Sequence, residues 1–358
     1  MADVPKFDAA GCRYDQSTYG GRLQHFREMT SPATLLVSDD ELAKAQDLLA
    51  RHKRGEAAGA TDAELWEAKR IRDAIIHPVT GEKMFLPGRM SAFVPSNTIP
   101  TAGMLCAPHG FKPESSLFHQ YLSCLSHACA FTDRARVLES RPRSLAKTPL
   151  QVMFWQWMNQ SVNVMTNYVN RSGGEADMTQ VASAYALAVG VSCSIAVGAR
   201  KIVQSGPSWV KALGIAVPYA AVVSAGAANV AFTRMPEMQE GAPIAAPDGT
   251  QLGKSKAAAR SAVANTIFSR CMLLPIAPML LPPIANGMLQ SAVALGPIAA
   301  AAAETCFVAG SIYGALPFAI AVFPQEMKID VDVLEDEFKS KLDKSGQPIK
   351  YVLCNKGL

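Results

Sequence analysis

A row of amide side chains is the feature of this sequence best suited to binding a polar molecule. Spacings of 3, 4, 4 and 3 residues separate Gln156, Asn159, Asn163, Asn167 and Asn170, with Gln160 beside them. On a helix these spacings place the row on one face. Since an amide both donates and accepts hydrogen bonds, such a face replaces water around a net-neutral polar solute. Amides also join membrane helices to one another, and the spacing alone leaves both roles open.

Two charged residues stand within otherwise apolar sequence. Glu304 is the only acidic residue between positions 249 and 325, and Arg270 precedes it. An ionisable side chain is costly inside a bilayer, so both residues are candidates for function. Glu304 is predicted to bind a proton, to pair with Arg270, or to lie at the level of the lipid headgroups. Five prolines also lie in this apolar sequence, and they are expected to kink or break helices and so leave backbone groups free: Pro275, Pro278, Pro282, Pro283 and Pro317.

Charge is distributed unevenly along the 358 residues. Positions 149–325 hold 15 charged side chains in 177 residues, whereas the other 181 positions hold 49. Soluble domains carry about 25% charged residues, so only one half of the chain has the composition of a soluble domain. The net charge of +4 and the lack of a basic stripe argue against nucleic-acid binding. The chain shows no catalytic constellation and no standard metal-ligand spacing, so no enzyme activity, cofactor or metal is predicted.

Long charge-free stretches predict the elements that hold these residues. A bilayer core needs about 20 apolar residues per helix, and five such helices are expected at about 148–170, 178–199, 212–233, 262–284 and 297–323. We therefore predict an all-α integral membrane protein with about five transmembrane helices, some of them broken by proline. An odd number of helices would put the two termini on opposite sides of the membrane.

Polar regions flank the membrane domain, which is assigned to residues 90–325. Residues 1–89 form a polar helical region, with capping boxes at Ser38–Glu41 and Thr61–Glu64. Residues 326–358 form a polar tail, in which 329–344 are predicted to form an amphipathic helix. Pro247-Asp248-Gly249 predicts a hairpin-like turn.

Several ordered strings resemble the sideroflexin family. They are His77 to Pro95, Phe154 to Gly173, the pattern Asn229, Arg234, Glu237, Gly241, Asp248-Gly249, Leu252-Gly253 and Ser255, then Phe323-Pro324-Gln325, and the terminal Asn355-Lys356-Gly357-Leu358. The early segment Tyr14 to Thr18 matches as well. The resemblance covers nearly the whole chain except residues 109–147.

The resemblance implies a multi-pass protein of the mitochondrial inner membrane without a cleavable presequence. It also implies transport of serine and other small neutral amino acids, which supplies one-carbon metabolism. Two other functions stay open: a carrier of tricarboxylates such as citrate or of other ions, and a non-transporting scaffold for assembly of membrane complexes. The bilayer and the amino acid are the expected partners, and protein partners are not predicted.

Other residues of the family motifs are expected near the membrane surface. The loop before the first membrane helix comprises His77, Pro78, Val79, Thr80, Gly81, Glu82 and Lys83, and it is either a structural turn or a gate. Val79 stands where the family usually has an aspartate, which leaves a polar role for this loop in doubt. Arg171, Asn229, Arg234 and Glu237 are placed at helix ends. Arg234 is predicted to pair with Glu237 or to bind lipid headgroups.

Residues 109–147 interrupt the apolar sequence inside the expected first membrane helix. They are either a true loop or translated non-coding sequence, and we favour the second hypothesis. Sequencing the transcript across this junction decides between them, because continuous coding through 109–147 would exclude the second.

Overall fold

The computed structural model describes residues 4–9, 11–57, 59–78, 80–106, 149–170, 178–205, 216–293, 295–342 and 346–357. Helices make up most of this part of the chain, and four strands form one sheet. The segment 109–147 lies outside the described residues, and so does Arg171.

Three helices form the polar N-terminal region: α1 (Tyr19–Met29), α2 (Asp39–Lys53) and α3 (Asp62–Ile75). The two capping boxes predicted from the sequence are confirmed. Ser38 Oγ accepts a hydrogen bond from the backbone N–H of Glu41, and Thr61 Oγ1 accepts one from that of Glu64. Each glutamate carboxylate accepts in return from the N–H of its cap residue. Because these bonds satisfy N–H groups of the first turn, they fix where α2 and α3 begin.

Apolar helices follow the N-terminal region. They are α4 (Phe93–Cys106), α5 (Pro149–Val169), α6 (Met178–Ser205), α7 (Ala216–Thr233), the short α8 (Met235–Glu240), α9 (Lys256–Thr266), α10 (Ile276–Ala292) and α11 (Pro297–Ile320). Residues Ile267–Leu273 join α9 to α10 as a π-helix. Two helical segments among the described residues, Lys256–Ala292 and Ala299–Ile320, are long and apolar enough to cross a bilayer. The apolar stretches Ala182–Ile195 and Tyr219–Thr233 are shorter.

The boundary between the last two membrane helices lies later in the chain than predicted. The sequence predicted a helix at about 262–284, which would end just after Pro282-Pro283. Instead, α10 continues to Ala292, and α11 begins at Pro297. A proline removes one helical N–H donor and bends the helix, but packing of α10 along α11 keeps the helix continuous.

A four-stranded antiparallel sheet lies beside the helices, so the prediction of an all-α fold is incomplete. Its strands are β1 (Ala242–Ala245), β2 (Gln251–Ser255), β3 (Glu326–Asp330) and β4 (Tyr351–Asn355), in the order β2-β1-β4-β3. The predicted turn at Asp248-Gly249 connects β1 to β2, and Gly249 has a φ of +82°. The buried side chains of the sheet, such as Ile244 and Val352, pack on Ala258 and Ala262 of α9.

The predicted helix over residues 329–344 is wrong. Its first part belongs to β3, and among the described residues of this range only the short α12 (Asp336–Lys339) is α-helical. Met327 and Ile329 are buried while Glu326 and Lys328 are exposed, which is the alternation of a strand with one face on a core. Pairing with β4, which follows more than 20 residues later, stabilises this strand, and no local pattern in the sequence reveals that partner.

Both ends of the chain meet at the end of α11. Arg22 of α1 donates from Nε to the carbonyl oxygen of Ala321 at 2.8 Å, and Tyr19 donates to that of Phe318 at 3.1 Å. Lys356, near the C-terminus, donates from Nζ to the carbonyl oxygen of Ile320 at 3.3 Å. The two termini therefore lie on one side of the helical bundle, which we call the terminal face. The expectation of termini on opposite sides is wrong.

Candidate functional site

Four polar side chains from three helical segments meet inside the bundle: Gln160, Asn167, Asn229 and Arg270. We call them the amide–arginine cluster. Asn229 Nδ2 donates to Gln160 Oε1 at 3.0 Å, and Asn167 Nδ2 donates to Asn229 Oδ1 at 3.0 Å. Arg270 Nη1 donates to Asn167 Oδ1 at 2.8 Å. None of the four is more than 8% exposed, so their hydrogen bonds form in an environment that strengthens them.

Helix geometry brings these residues together. Gln160 and Asn167 lie seven residues apart, about two turns, and therefore share a face of α5. Arg270 lies in the π-helix, where the wider turn interrupts the regular helical bonding. Its guanidinium carbon is 5.3 Å from the centroid of the Phe93 ring at the start of α4. This stacking on an aromatic ring gives the buried cation a further favourable contact.

A buried ion pair lies on the α7–α8 and α9 side of the bundle. Arg234 Nη2 is 2.7 Å from Glu237 Oε2, and both residues are less than 10% exposed. Arg234 Nη1 also donates to Thr266 Oγ1 at 3.0 Å, which connects the pair to the end of α9. The predicted pairing of Arg234 with Glu237 is confirmed. The burial of Arg234 excludes it from contact with lipid headgroups in this structure.

The amide row divides into two groups. Asn167 belongs to the cluster, and Asn170 Nδ2 donates to the carbonyl oxygens of Gly88 and Thr166 at 2.8 and 2.7 Å. These amides hold segments of the chain together. Asn159 and Asn163 are half-buried and make no side-chain hydrogen bond within the described residues. Gln156 lies on the same helix, but its side chain is outside the described part.

The motif loop at residues 77–83 is an ordered turn. His77 is buried, and its Nδ1 accepts from the backbone N–H of Thr80 at 3.1 Å. The backbone N–H of His77 donates to the carbonyl oxygen of Glu82 at 2.8 Å, and Gly81 has a φ of +70°. Lys83 pairs with Asp39 of α2, and Pro78 precedes the undescribed Val79. These contacts favour the structural turn over the gate.

Glu304 lies apart from the amide–arginine cluster. It is 4% exposed, and it forms no ion pair with Arg270 in the described structure. Its Oε1 atom has no hydrogen-bond partner among the described residues. The expected pairing with Arg270 is therefore absent, and the expected headgroup position does not fit so buried a side chain. Asn286 on α10, which was not among the predicted site residues, also has a buried oxygen without a hydrogen-bond partner in the described part of the chain.

Lys356 is a buried cation that residue patterns did not reveal. It is 1% exposed and lies over the rings of Phe26 and Phe323, with Nζ 5.7 and 5.9 Å from their centroids. Burial, together with the nearby guanidinium groups of Arg270 and Arg234, lowers its pKa to about 7. Its position in the terminal motif was the only sequence signal, and that motif gave no indication of burial.

The described residues contain no group of three or more side chains able to hold a metal ion. His119, Cys124, His127 and Cys129, whose spacing fits no standard zinc site, lie outside the described part. Long apolar helices that enclose a hydrogen-bonded polar centre define the class: a helical membrane protein with a buried polar site.

Comparison with known proteins places the chain within this class. The family profile for sideroflexins matches residues 8–136 and 144–358. A sideroflexin of Dictyostelium discoideum is 37% identical over 362 aligned residues, which cover 99% of this chain and 98% of that protein. A sideroflexin of Saccharomyces cerevisiae is 34% identical, covering 98% and 97%, and human sideroflexin-5 is 32% identical, covering 100% and 94%. This chain belongs to the sideroflexin family. No solved structure matches it.

Proposed function

We propose that the protein transports serine and other small neutral amino acids across the mitochondrial inner membrane and so supplies one-carbon metabolism. The observation that carries the proposal is the amide–arginine cluster, which brings three amides and one guanidinium together inside an otherwise apolar bundle. Buried polar groups in membrane helices are costly and commonly mark a substrate pathway. Membership of the sideroflexin family supports the same proposal.

The chemistry of the cluster suits a zwitterion. A guanidinium presents several N–H donors in a plane that matches a carboxylate, so Arg270 is assigned to the carboxylate of the substrate. The ammonium and hydroxyl groups of serine need acceptors and donors, which the side chains of Asn159 and Asn163 provide on the same helix as Asn167. One cation and neutral amides fit a solute whose own charges cancel.

Helix irregularities next to the cluster support an alternating-access mechanism. Arg270 lies in the π-helix, and Pro282-Pro283 lie inside α10, more than two turns after that segment ends. A π-helix and internal prolines both interrupt the regular backbone hydrogen bonds of a helix, so the helix can change its local conformation at low energetic cost. Movement of α10 and α11 against α5 and α7 would expose the cluster to one side of the membrane and then to the other.

The test is uptake of labelled serine by purified protein in liposomes. Wild type is expected to take up serine, and both Asn159→Ala and Asn163→Ala should lower uptake about tenfold or more, because each removes a substrate contact. Gln46→Ala on the exposed face of α2 removes an amide far from the cluster and should leave uptake unchanged. Absence of uptake by folded wild-type protein would exclude the proposal.

Charge in the described site argues against a carrier of citrate-like anions. Glu237 neutralises Arg234, so the two buried arginines of this region do not act as two free positive charges. A tricarboxylate needs several cationic groups at the site. Excess citrate should therefore leave serine uptake unchanged, whereas alanine and cysteine should compete. Competition by citrate with none by alanine would favour the anion carrier.

The proposed location rests on family membership alone. Fractionation of cells that express the full-length chain should recover it with inner-membrane markers and in the carbonate-resistant pellet. Recovery in another membrane would contradict the location while leaving the transport test valid.

A further inference from the structure

Two buried oxygen atoms in the hairpin of α10 and α11 lack the donor that a buried acceptor requires. Glu304 and Asn286 are 4% and 6% exposed, and Glu304 Oε1 and Asn286 Oδ1 have no hydrogen-bond partner within the described residues. A buried polar atom left in this state destabilises a protein, because the atom has lost its hydrogen bonds to water and gained none in return. Its persistence in two neighbouring helices therefore indicates a ligand that supplies positive charge or a hydrogen-bond donor.

The two oxygens lie at similar depth. α10 and α11 pack along each other, and residues 293–296 connect them in sequence. Asn286 is seven residues before this connection and Glu304 is eight residues after it. At 1.5 Å per residue, both side chains start about 10–12 Å from this connection.

Prolines add further acceptors on the same buried face. Pro282 and Pro283 have no N–H, so the carbonyl groups of Pro278 and Met279 lose their helical donors. Met279, Pro282, Pro283 and Asn286 are all buried. The face of α10 that carries Asn286 therefore presents oxygen acceptors one to two turns apart.

Among the described residues, no charged group faces Glu304 from α10 or α4, the two helices that pack most extensively on α11. α10 has no titratable residue, and α4 has only Cys106, whose side chain is outside the description. On α11 itself, Cys306 and Tyr313 are exposed. The other elements that pack extensively on α11 are α1 and the π-helix, and their titratable residues are Tyr19, Arg22, His25, Arg27, Glu28, Arg270 and Cys271. Lys356 also meets α11, at the carbonyl oxygen of Ile320, which is 16 residues from Glu304.

Those two elements meet α11 near its other end. Tyr19 and Arg22 bond to Phe318 and Ala321, and Leu274, beside the π-helix, clusters with Leu316. These contacts are 12 or more residues from Glu304, or about 18 Å along the helix. The carboxylate therefore has no resident counter-ion among the described residues.

We propose that Glu304 binds the proton that drives amino-acid transport, a proposal that rests on the transport function above. On one side of the membrane the carboxylate takes up one proton to form a neutral carboxyl group, whose O–H donates to an acceptor on the facing side of α10, with Asn286 Oδ1 at the matching depth. On the other side the same proton leaves, and the carboxylate forms again. A metal cation needs several oxygen ligands at once, whereas a proton needs one carboxylate and one acceptor.

The experiment uses full-length protein in liposomes with the membrane potential clamped. With the proton concentration higher outside, wild type is expected to accumulate labelled serine above its external concentration, up to about tenfold for each pH unit at a 1:1 ratio. Addition of serine without an imposed gradient should move protons inward, which a pH-sensitive dye inside the vesicles reports.

Substitutions identify the group that binds the proton. Glu304→Gln keeps the shape of the neutral carboxyl group, so it should lose gradient-driven accumulation and serine-dependent proton movement while it retains exchange of internal for external serine. Glu326→Gln changes an exposed acid in β3 and should behave as wild type. Asn286→Ala removes the paired acceptor and should shift the pH of half-maximal accumulation without abolishing exchange.

Failure of this proposal differs from failure of the transport function. Wild type that exchanges serine but ignores the pH gradient would overturn the proton site and leave transport intact. A response to a sodium gradient in place of the pH gradient would also overturn it. If Glu304→Gln does not fold, gradient-driven accumulation by Glu304→Asp with an altered pH profile supports the proposal, and an unaltered profile overturns it. No exchange by folded wild type would reject transport itself.

Discussion

Asn229 is the side chain on which the amide–arginine cluster depends most, because it bonds to amides two turns apart on α5. Asn229→Ala leaves Gln160 Oε1 and Asn167 Nδ2 without this partner. We expect a loss of roughly 1–3 kcal/mol in the free energy of unfolding, since buried polar groups become unsatisfied. Thermal unfolding in detergent, followed by the fluorescence of the four tryptophans, measures the change.

Asn159→Ala serves as the matched control, because Asn159 has no side-chain hydrogen bond in the described structure. It should leave the unfolding temperature nearly unchanged while it lowers serine uptake. Equal destabilisation by the two variants would contradict the division of the amide row into a bonded group and a substrate-facing group.

Glu237 neutralises a buried guanidinium and is expected to be essential for stability. Glu237→Gln leaves Arg234 buried without its carboxylate, and breaking such a pair costs about 3–5 kcal/mol. Glu240→Gln is the control on the same short helix. Its pairing with Lys254 is 3.6 Å long and more than half exposed, so its loss should cost no more than about 1 kcal/mol. Comparable unfolding temperatures for the two variants would show that Arg234 finds another partner.

Lys356 makes stability depend on pH. Its pKa is about 7 in the folded protein and 10.5 for an ordinary lysine. Between these values the unfolded chain binds more protons than the folded chain, so stability should rise as pH increases above about 7. Burial raises the pKa of the Cys354 thiol from 9.0 to about 11. Above about pH 9 the folded chain therefore keeps a proton that the unfolded chain loses, and this thiol makes stability fall as pH increases.

The measurement is the difference in unfolding temperature between wild type and Lys356→Met from about pH 7 to pH 9. Wild type should gain stability relative to the variant across this range. A constant difference would show that Lys356 titrates as an exposed lysine does.

Close contact between α4 and α5 depends on a glycine. A Cβ atom at Gly103 would lie 2.3 Å from carbons of the Trp155 ring, a distance that real Cβ atoms do not reach. Gly103→Ala should therefore separate the helices and destabilise the protein by about 1–3 kcal/mol. In Gly310→Ala on α11 the added Cβ meets nothing within 4 Å, so that variant should gain up to about 1 kcal/mol. Thermal unfolding of the two variants measures the difference. A lower unfolding temperature in both would indicate a general effect of added methyl groups on helix packing.

Local patterns in the sequence predicted the elements whose causes are local. The capping boxes before α2 and α3, the turn at Gly249 and the pairing of Arg234 with Glu237 each depend on residues a few positions apart, and each is observed. Elements that depend on distant partners were not predicted. β3 needs β4, and the continuity of α10 through Pro282-Pro283 needs α11.

The candidate site shows the same division. The spacing placed Asn167 on the amide face of α5 with Gln160 beside it, but nothing in the spacing identified Asn229 and Arg270 as their hydrogen-bond partners. Nor did the spacing distinguish Asn167, whose side chain is hydrogen-bonded, from Asn163, whose side chain makes no hydrogen bond within the described residues. Those distinctions follow from the packing of α5 against α7 and of α7 against the π-helix, which brings Asn229 and Arg270 to Asn167.

The sheet unites distant parts of the chain on the terminal face. β1 lies in the connection between α8 and α9, yet it pairs with β4 near the C-terminus through Ile244 and Cys354. Lys356, directly after β4, contacts both Phe26 of α1 and the end of α11. The N-terminal region, the β1–β2 hairpin and the C-terminal tail therefore share one side of the bundle. If the bundle spans the bilayer, this arrangement requires an even number of crossings.

Accessibility of single cysteines to a membrane-impermeant maleimide tests this topology. The vesicles are sealed and uniformly oriented. From one side, antibodies should bind an epitope at each terminus, and the maleimide should react with Lys254→Cys in the β1–β2 hairpin. Val293→Cys, at an exposed position between α10 and α11, lies at the opposite end of both helices and should react only from the other side or after permeabilisation. Termini on opposite sides would contradict the contacts of Lys356 with Phe26 and of Arg22 with Ala321, since no membrane can pass between residues that touch.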